Sequence, residues 1–584
     1  MIRELSELGK LICEEKYGNW NHVALKDEPV AIDLVIDVKG NFCKFMSFEK
    51  KSTIAEALTS KKGKARLLLD KAEEVLCYGT GSTKKHELFL NKLDQYNMLA
   101  DIQPVRAFYY VNKENGIDKA REEFIKEIPN ENNRKGNIAF RIQGAGNRVH
   151  EEINVRHMII DKFEQKYKPG RTCSVCIRSD YPVEDVPHGM IKKVPDGQSS
   201  GSALISYNED AFESYGLKGN NNSAVCANCA RTYVEGMNWL LSAGNEISTR
   251  DRKRREKKAF RYSNRKNFGS DTAMVYWTRK NEKVDEIDYL DAPDPADVAR
   301  LIESVASGNE RDSRYLEPDQ FYSCSLSGSA ARVAVRDWIE TSLFDFRKSI
   351  AKWFQDISIE AYDMESKNAR TYYPRLYDLA RCCQRKNNDG QNDKDDTSFA
   401  RAAVSLWNAA LKGTTPPHWI LTKVLQRARV DGVTSDRATL IKLILNRHGR
   451  GGGFMITEKV IDGNRPVAYV CGQIFAKLES IQYAALGDRN AGIRERYFTY
   501  AMTCPAAAFG RLFNLNSKHF TKLKSDKPGL AVTLDKDLQG LCKDVDIHTF
   551  PAAFSLEQQG QFAVGYYHQR QLQFSGKPKT KEEA

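Results

Sequence analysis

Two cysteine pairs are the residues of this chain best suited to hold a metal: Cys173 and Cys176 in C-S-V-C, and Cys226 and Cys229 in C-A-N-C. A two-residue spacer lets both sulfurs of a pair reach one tetrahedral ion at about 2.3 Å, so together the pairs supply the four thiolates of a structural zinc site, a zinc knuckle. Residues 177 to 225 separate the pairs. That is longer than a zinc-ribbon gap, and the alternative is two unrelated thiol pairs in a reducing cell. Just downstream, residues 250 to 258 carry Arg250, Arg252, Lys253, Arg254, Arg255, Lys257 and Lys258. Like charges at this density repel one another unless phosphates or carboxylates neutralise them. The run therefore points to phosphate contact, with a solvated helix face as the alternative.

Further groups suit a polyanion. S-K-K-G-K-A-R places Lys61, Lys62, Lys64 and Arg66 around a flexible glycine, in a loop able to enter a DNA groove or to lie solvated. Gln198 and Ser199 sit on the glycine-rich turn D-G-Q-S-S-G, whose small residues permit close approach of another backbone. In A-R-V-A-V-R-D-W, Arg332 and Arg336 share one face of a strand, because side chains alternate along it. They suit phosphates or acidic neighbours. Lys518 and Lys522, with Lys524, mark one face of a C-terminal helix. The chain carries no P-loop, no HExxH, and no pair of histidines or carboxylates at metal-nuclease spacing. His568, in Y-Y-H-Q-R-Q, reads as a packed or hydrogen-bonded residue of an amphipathic helix. No enzymatic activity is expected.

The elements that must position these groups follow from periodicity. The alternation in A-I-D-L-V-I-D-V-K-G-N-F-C-K-F-M-S-F reads as a β-hairpin turning at Lys39-Gly40-Asn41. Helices are expected over His86 to Leu99, Asp118 to Ile128 and Glu151 to Tyr167, and strands over Asn137 to Gln143 and Ala203 to Tyr207. Strand 272 to 278, helix Asp294 to Ala306, strand 331 to 338 and helix Asp345 to Ile357 give a βαβα order compatible with a ferredoxin-like unit. Beyond residue 371 strand signals nearly vanish. The four apolar segments Ala468 to Ala485, Gly492 to Met502, Ala506 to Leu523 and Ser555 to Gln573 are the inventory of a four-helix bundle.

The fold class is α+β, with a mixed N-terminal α/β region, a four-cysteine zinc-knuckle insertion and a C-terminal helical bundle. The expected domains are 1–170 (mixed α+β), 171–270 (knuckle and basic segment), 271–370 (βαβα), 371–454 (helical connector) and 455–584 (bundle). With 584 residues, 41% of them hydrophobic and 28% charged, the composition is that of a folded globular protein. The net charge of +12 suggests a nucleic-acid partner, whose condensed counterions are released on binding. An odd count of 13 cysteines argues against a secreted disulfide framework. No stretch is apolar enough to span a bilayer, and the charged amphipathic start is not a signal peptide, so a cytoplasmic location is expected.

Several motifs carry a resemblance: S-S-G-S-A-L-I-S, Y-N-E-D-A-F-E-S-Y-G, A-A-R-V-A-V-R-D-W, L-I-K-L-I-L-N-R, N-A-G-I-R-E-R-Y-F and above all S-L-E-Q-Q-G-Q-F-A-V-G-Y-Y-H-Q-R-Q at 555 to 571. In this order, from the N-terminal hairpin to about residue 574, the chain resembles the large subunit of the type I-C CRISPR Cascade effector. The resemblance implies a non-catalytic DNA-binding subunit of a crRNA-guided surveillance complex. Such a subunit reads the protospacer-adjacent motif, supports R-loop formation, holds the displaced single strand and recruits a helicase-nuclease, while base pairing reads the target. Implied partners are double-stranded target DNA, crRNA-containing backbone and crRNA-processing subunits, and small subunits made separately from its own C-terminal region. The alternatives are a zinc-dependent nucleic-acid-processing enzyme and a purely structural assembly protein. For the small subunit the start is placed at Met455. Gly451, Gly452 and Gly453 require GGN codons, so the message upstream is purine-rich like a ribosome-binding sequence, and a helical bundle starting there is expected to keep its own core.

Overall fold

The N-terminal hairpin is part of a four-stranded sheet. Leu25–Ile36 (β1), Phe42–Glu56 (β2), Leu69–Lys71 (β3) and Asn137–Ile142 (β4) lie in the order β2-β1-β4-β3, with β1 antiparallel to β2 and parallel to β4. The computed structural model describes residues 1–58, 63–182, 188–250, 256–307, 319–386, 396–449, 454–487, 492–546 and 548–575. It divides into two compact units, the first Met1–Arg265 with Ser327–Ala334 and the second Lys266–Leu326 with Val335–Ala584. Among the described residues, no helix is long and apolar enough to cross a membrane.

In the first unit β1 is internal, so its C-terminal half is buried on both faces. Asp33 is the polar exception. It is buried, and it accepts hydrogen bonds from Arg148 Nε at 2.6 Å and Arg141 Nε at 2.9 Å, which satisfy the carboxylate away from water. Ile2–Tyr17 (α1), Thr83–Asp94 (α2), Lys119–Glu127 (α3) and Ile153–Glu164 (α4) are the longest helices up to Glu164. Phe89, Phe124 and Val155 meet Leu34, Ile36 and Phe140 of the sheet in one core. Tyr167–Thr172 (β5) and Ser179–Pro182 (β6) form a hairpin. Met190–Ile191 (β7) pairs with Ser202–Ala203 (β8), so of the strand expected over 203 to 207 only the first residue is extended in a sheet. Arg332 pairs parallel with Ala203.

Ala227–Ser242 (α5) packs on α1 with almost no separation. A methyl at Gly9 would fall 1.8 Å from the Thr232 carbonyl oxygen, and one at Gly236 2.7 Å from that of Leu5. The sequence of each helix therefore needs glycine at the crossing. Gly244–Arg250 (β9) and Glu256–Tyr262 (β10) form a two-stranded antiparallel ribbon, with Arg250 opposite Glu256. Of the basic run, Arg250, Lys257 and Lys258 thus lie on strands of the ribbon, not on a helix face.

Arg265–Phe268 (β11), Thr272–Thr278 (β12), Gln320–Ser329 (β13) and Arg332–Ser342 (β14), which lie mostly in the second unit, follow in that sheet order. Pro295–Ser307 (α6) lies between β12 and β13 in the chain, and Leu343–Ile357 (α7) follows β14. β12 pairs directly and antiparallel with β13, whereas a ferredoxin-like order places another strand between the two strands flanking the first helix. The ferredoxin-like expectation is corrected on that point. Ile359–Asp363 (β15) and Asn368–Tyr372 (β16) make a small hairpin.

Helices then take over: Ser398–Leu411 (α8), His418–Asp431 (α9), Ser435–His448 (α10), Val467–Leu486 (α11), Ile493–Thr503 (α12), Pro505–Asp526 (α13), Pro528–Cys542 (α14) and Leu556–Ser575 (α15). The C-terminal bundle therefore has a fifth helix, α14, beyond the four expected. Nor is the bundle self-contained. A methyl at Gly560 on α15 would lie 3.1 Å from the side chains of Ile441 and Leu445 on α10. The Tyr567 hydroxyl hydrogen-bonds Ser435 at 2.9 Å and donates to the Glu360 carbonyl at 3.0 Å. A chain starting at Met455 would keep the packing of Phe475, Phe498, Phe562 and Tyr566 but would uncover this side of α15.

Candidate metal centre and nucleic-acid interface

The first cysteine pair lies on the turn between β5 and β6. The Cys173 N–H donates to the Arg178 carbonyl and the Ile177 N–H to the Cys173 carbonyl, both at 2.9 Å, while Ile177 takes a φ of 61° to close the loop. The second pair opens α5, where the Cys226 sulfur caps the helix by accepting the Cys229 N–H at 3.4 Å. Backbone bonds join the two turns. The Ser174 N–H donates to the Ala224 carbonyl at 2.7 Å and the Cys226 N–H to the Cys173 sulfur at 3.3 Å.

All four sulfurs consequently lie within 4.8 Å of one another. A tetrahedral ion with 2.3 Å bonds needs sulfurs about 3.8 Å apart, and Cys176 and Cys226 stand at 3.8 Å. Cys173, Cys226 and Cys229 are buried; Cys176 is exposed. A hydrogen bond from the Cys229 thiol pulls Cys226 down to about 5, and the same bond pushes Cys229 up. The helix N-terminus further favours a thiolate there. Four such sulfurs could hold a metal ion, and they would leave no coordination position for a substrate. The knuckle expected from the spacing is thus present as geometry.

The cationic candidates meet different fates. Lys61 and Lys62, and Arg252, Lys253, Arg254 and Arg255, lie outside the described residues, as does the side chain of Arg250. Lys64 is exposed. Arg66 is not on a loop surface at all. Its side chain is 1% exposed, sits 2.7 Å from the Glu28 carboxylate, and donates from Nε to the Glu56 carbonyl at 3.0 Å. Its expected assignment to DNA is corrected: an arginine buried against a carboxylate cannot also reach a phosphate. Gln198 and Ser199 are exposed, on a turn closed by the Gly201 N–H donating to the Gln198 carbonyl at 2.9 Å.

Lys257 and Lys258 are exposed on β10, and alternation sends them to opposite faces of the ribbon. Arg332 is engaged within the protein, donating to Asn208 Oδ1 at 2.8 Å with its guanidinium 4.3 Å from the Phe212 ring centroid. Asn208 and Phe212 belong to the Y-N-E-D-A-F motif, so this motif supports a strand end. Arg336 is exposed and lines a cavity of about 460 Å³ with Arg401 and Trp419. There the Arg401 guanidinium lies 5.1 Å from the Trp419 ring centroid. Arg401 and Trp419 were missed by sequence reasoning, since separate helices bring them together and neither has a local signal. Lys518 and Lys522 are exposed one turn apart on α13.

A family model described as CRISPR-associated protein (Cas_Csd1) matches residues 12–574. The chain belongs to the Csd1 family of CRISPR-associated proteins. The resemblance carried by its motifs therefore holds at the level of the family. No curated protein matches the chain. In this Csd1-family protein the most specific motif, 555 to 571, is largely α15. Its Gly565 lets α15 meet α11, because a methyl there would fall 2.1 Å from the Tyr469 carbonyl oxygen. His568 is buried, and its Nδ1 shares a 2.8 Å hydrogen bond with the Tyr469 hydroxyl. It is packed, as its amphipathic setting suggests.

Proposed function

We propose that this chain is the non-catalytic, DNA-binding large subunit of a crRNA-guided type I-C surveillance complex. It reads the motif flanking the target, supports R-loop formation and presents the site to a separate helicase-nuclease, while guide pairing reads the sequence. The observation that carries this reading is the family match over residues 12–574. The ribbon of β9 and β10 supports it. Seven residues of strand extend about 24 Å, and a two-stranded ribbon of that kind fits the major groove. Lys257 and Lys258 on the ribbon and Lys518 and Lys522 on α13 are exposed cations for phosphates.

The cysteine cluster holds zinc in a structural role, fixing the start of α5 against the β5–β6 turn. Small subunits made from the C-terminal region from Met455 belong to the same proposal. In them the side of α15 that α10 covers in the full chain needs another partner.

Binding of the assembled complex to target duplexes that differ only in the flanking motif tests the reading. Motif-dependent affinity without strand cleavage is the expected result. Metal-dependent cleavage by the isolated chain would replace it with a zinc-dependent nucleic-acid-processing enzyme, and absence of any DNA affinity would leave a purely structural assembly protein.

A further inference from the structure

A cavity of about 430 Å³ opens in the first unit among β2, α2 and α4. Its polar lining is lopsided. Lys64, Lys92, Lys162 and Lys166 border it, and Glu56 is its carboxylate. Glu56 is already committed: Oε1 lies 2.5 Å from Lys92 Nζ, and Oε2 accepts the Leu67 N–H at 2.9 Å. Among the described lining residues, four lysines thus stand against one carboxylate. Tyr96, 2% exposed, organises two of the cations, with Lys162 Nζ 4.2 Å and Lys92 Nζ 5.4 Å from its ring centroid. Lys162 also donates to the Gln95 carbonyl. Burial and the neighbouring Lys92 depress the Lys162 ammonium below the ordinary lysine value, which is the penalty an anion entering the cavity would relieve.

The remaining wall is divided in kind. Leu88, Ile159 and Phe163 give an apolar side, while Asn91 and Gln165 bring amides to it. Cations for a phosphate, apolar surface for a flat ring and amides for a ring edge are the three needs of one nucleotide. The volume falls in the range of small-molecule sites, about 300 to 1,000 Å³. It is too small for a base pair carrying both backbones, so a paired base cannot enter without leaving its stack.

We infer that this cavity takes a single unpaired nucleotide of DNA, its phosphate held by the lysines and its base by the apolar wall. The inference rests on the DNA-binding reading above and adds a site to it. The shared chemistry is a nucleoside phosphate, and a free nucleotide is the competing source.

The test measures binding of the full chain, by fluorescence anisotropy, to three labelled duplexes: fully paired, with one bulged nucleotide, and with one bulged abasic site. The bulged nucleotide is expected to bind about tenfold tighter than the paired duplex, and the abasic bulge to lose that gain, since a seated base contributes on this scale. Leu88→Trp, which fills the cavity, should abolish the gain and leave paired-duplex affinity within about twofold. Lys162→Gln, a milder change on a solvent-facing helix, should cut both the gain and the salt slope of bulged-duplex binding, the latter by about 1. Equal affinity for all three duplexes overturns the inference alone. So does a gain that survives both variants. Displacement of the bulged duplex by an equal concentration of free dAMP overturns it in favour of a free nucleotide. No binding to any of the three removes the DNA-binding reading and this inference together.

Discussion

Replacing His568 by Gln should flatten the acid limb of the second unit's stability. In the folded chain the imidazole is 1% exposed, its Nδ1 faces the Tyr469 hydroxyl, and Nε2 has no hydrogen-bond partner among the described residues. Burial, with the Lys442 ammonium nearby, pushes it down from 6.5 to about 3. A depressed folded value means that the unfolded chain takes up the proton first. The stabilisation is therefore complete above pH 6.5 and is lost as the pH falls toward 3. Between about pH 7.5 and 5.0 the unfolded imidazole becomes almost fully charged while the folded one stays neutral. Linkage between those two values gives a loss of about 2 kcal/mol. Urea unfolding followed by tryptophan fluorescence reads the second unit through Trp353 and Trp407, both buried in its core. The wild-type chain should lose about 2 kcal/mol more than His568→Gln over that pH interval, whatever the variant costs at neutral pH. Histidines elsewhere, such as His150, contribute equally to both proteins and cancel. Parallel pH profiles would mean that the imidazole protonates in place, and would refute the account of His568 as a packed residue.

The cysteine cluster predicts one metal ion per chain by elemental analysis, and near-complete loss of it in Cys229→Ser; a full complement in that variant would contradict the four-sulfur site. Arg66→Met should cost about 1.5 to 3 kcal/mol in urea unfolding, because among the described residues Glu28 keeps only Lys26 as a cation and the Glu56 carbonyl loses the Arg66 donor, while Lys64→Ala at an exposed site costs less. Equal effects would return Arg66 to the surface. Neutralising Lys257 and Lys258, or Lys518 and Lys522, should lower the salt slope of duplex binding by about 1 per lost phosphate contact, on all sequences alike. Unchanged slopes would leave those lysines as solvated charges.

Much of the chain declares itself locally. The hairpin of β1 and β2 announces its turn through Lys39-Gly40-Asn41, β12 is an uninterrupted buried run, and the paired cysteines carry their own spacing. What stayed hidden depends on partners distant in sequence. Nothing around Arg66 reveals that Glu28, on β1, will bury it. In the basic run charge occupies nearly every position, which erases the alternation that marks a strand, so the ribbon of β9 and β10 was invisible. α14 was missed because it opens on Pro528-Gly529 and carries β-branched Val532 and Thr533, weak helix formers whose apolar face is settled by packing on α11 and α13. The cavity lysines come from two helices and the loops beside them, and only Lys64 among them lay in a stretch that spacing singled out. The antiparallel pairing of β12 with β13 is a long-range choice that the order of elements leaves open.

The most direct test of the account is strand opening. Complexes assembled with and without this chain are placed on a supercoiled target matching the guide, with either the correct or an altered flanking motif, and unpaired thymines are mapped by permanganate. An open displaced strand is expected when the chain and the correct motif are both present, with little opening when either is missing. Equal opening without the chain, or with the altered motif, would contradict it.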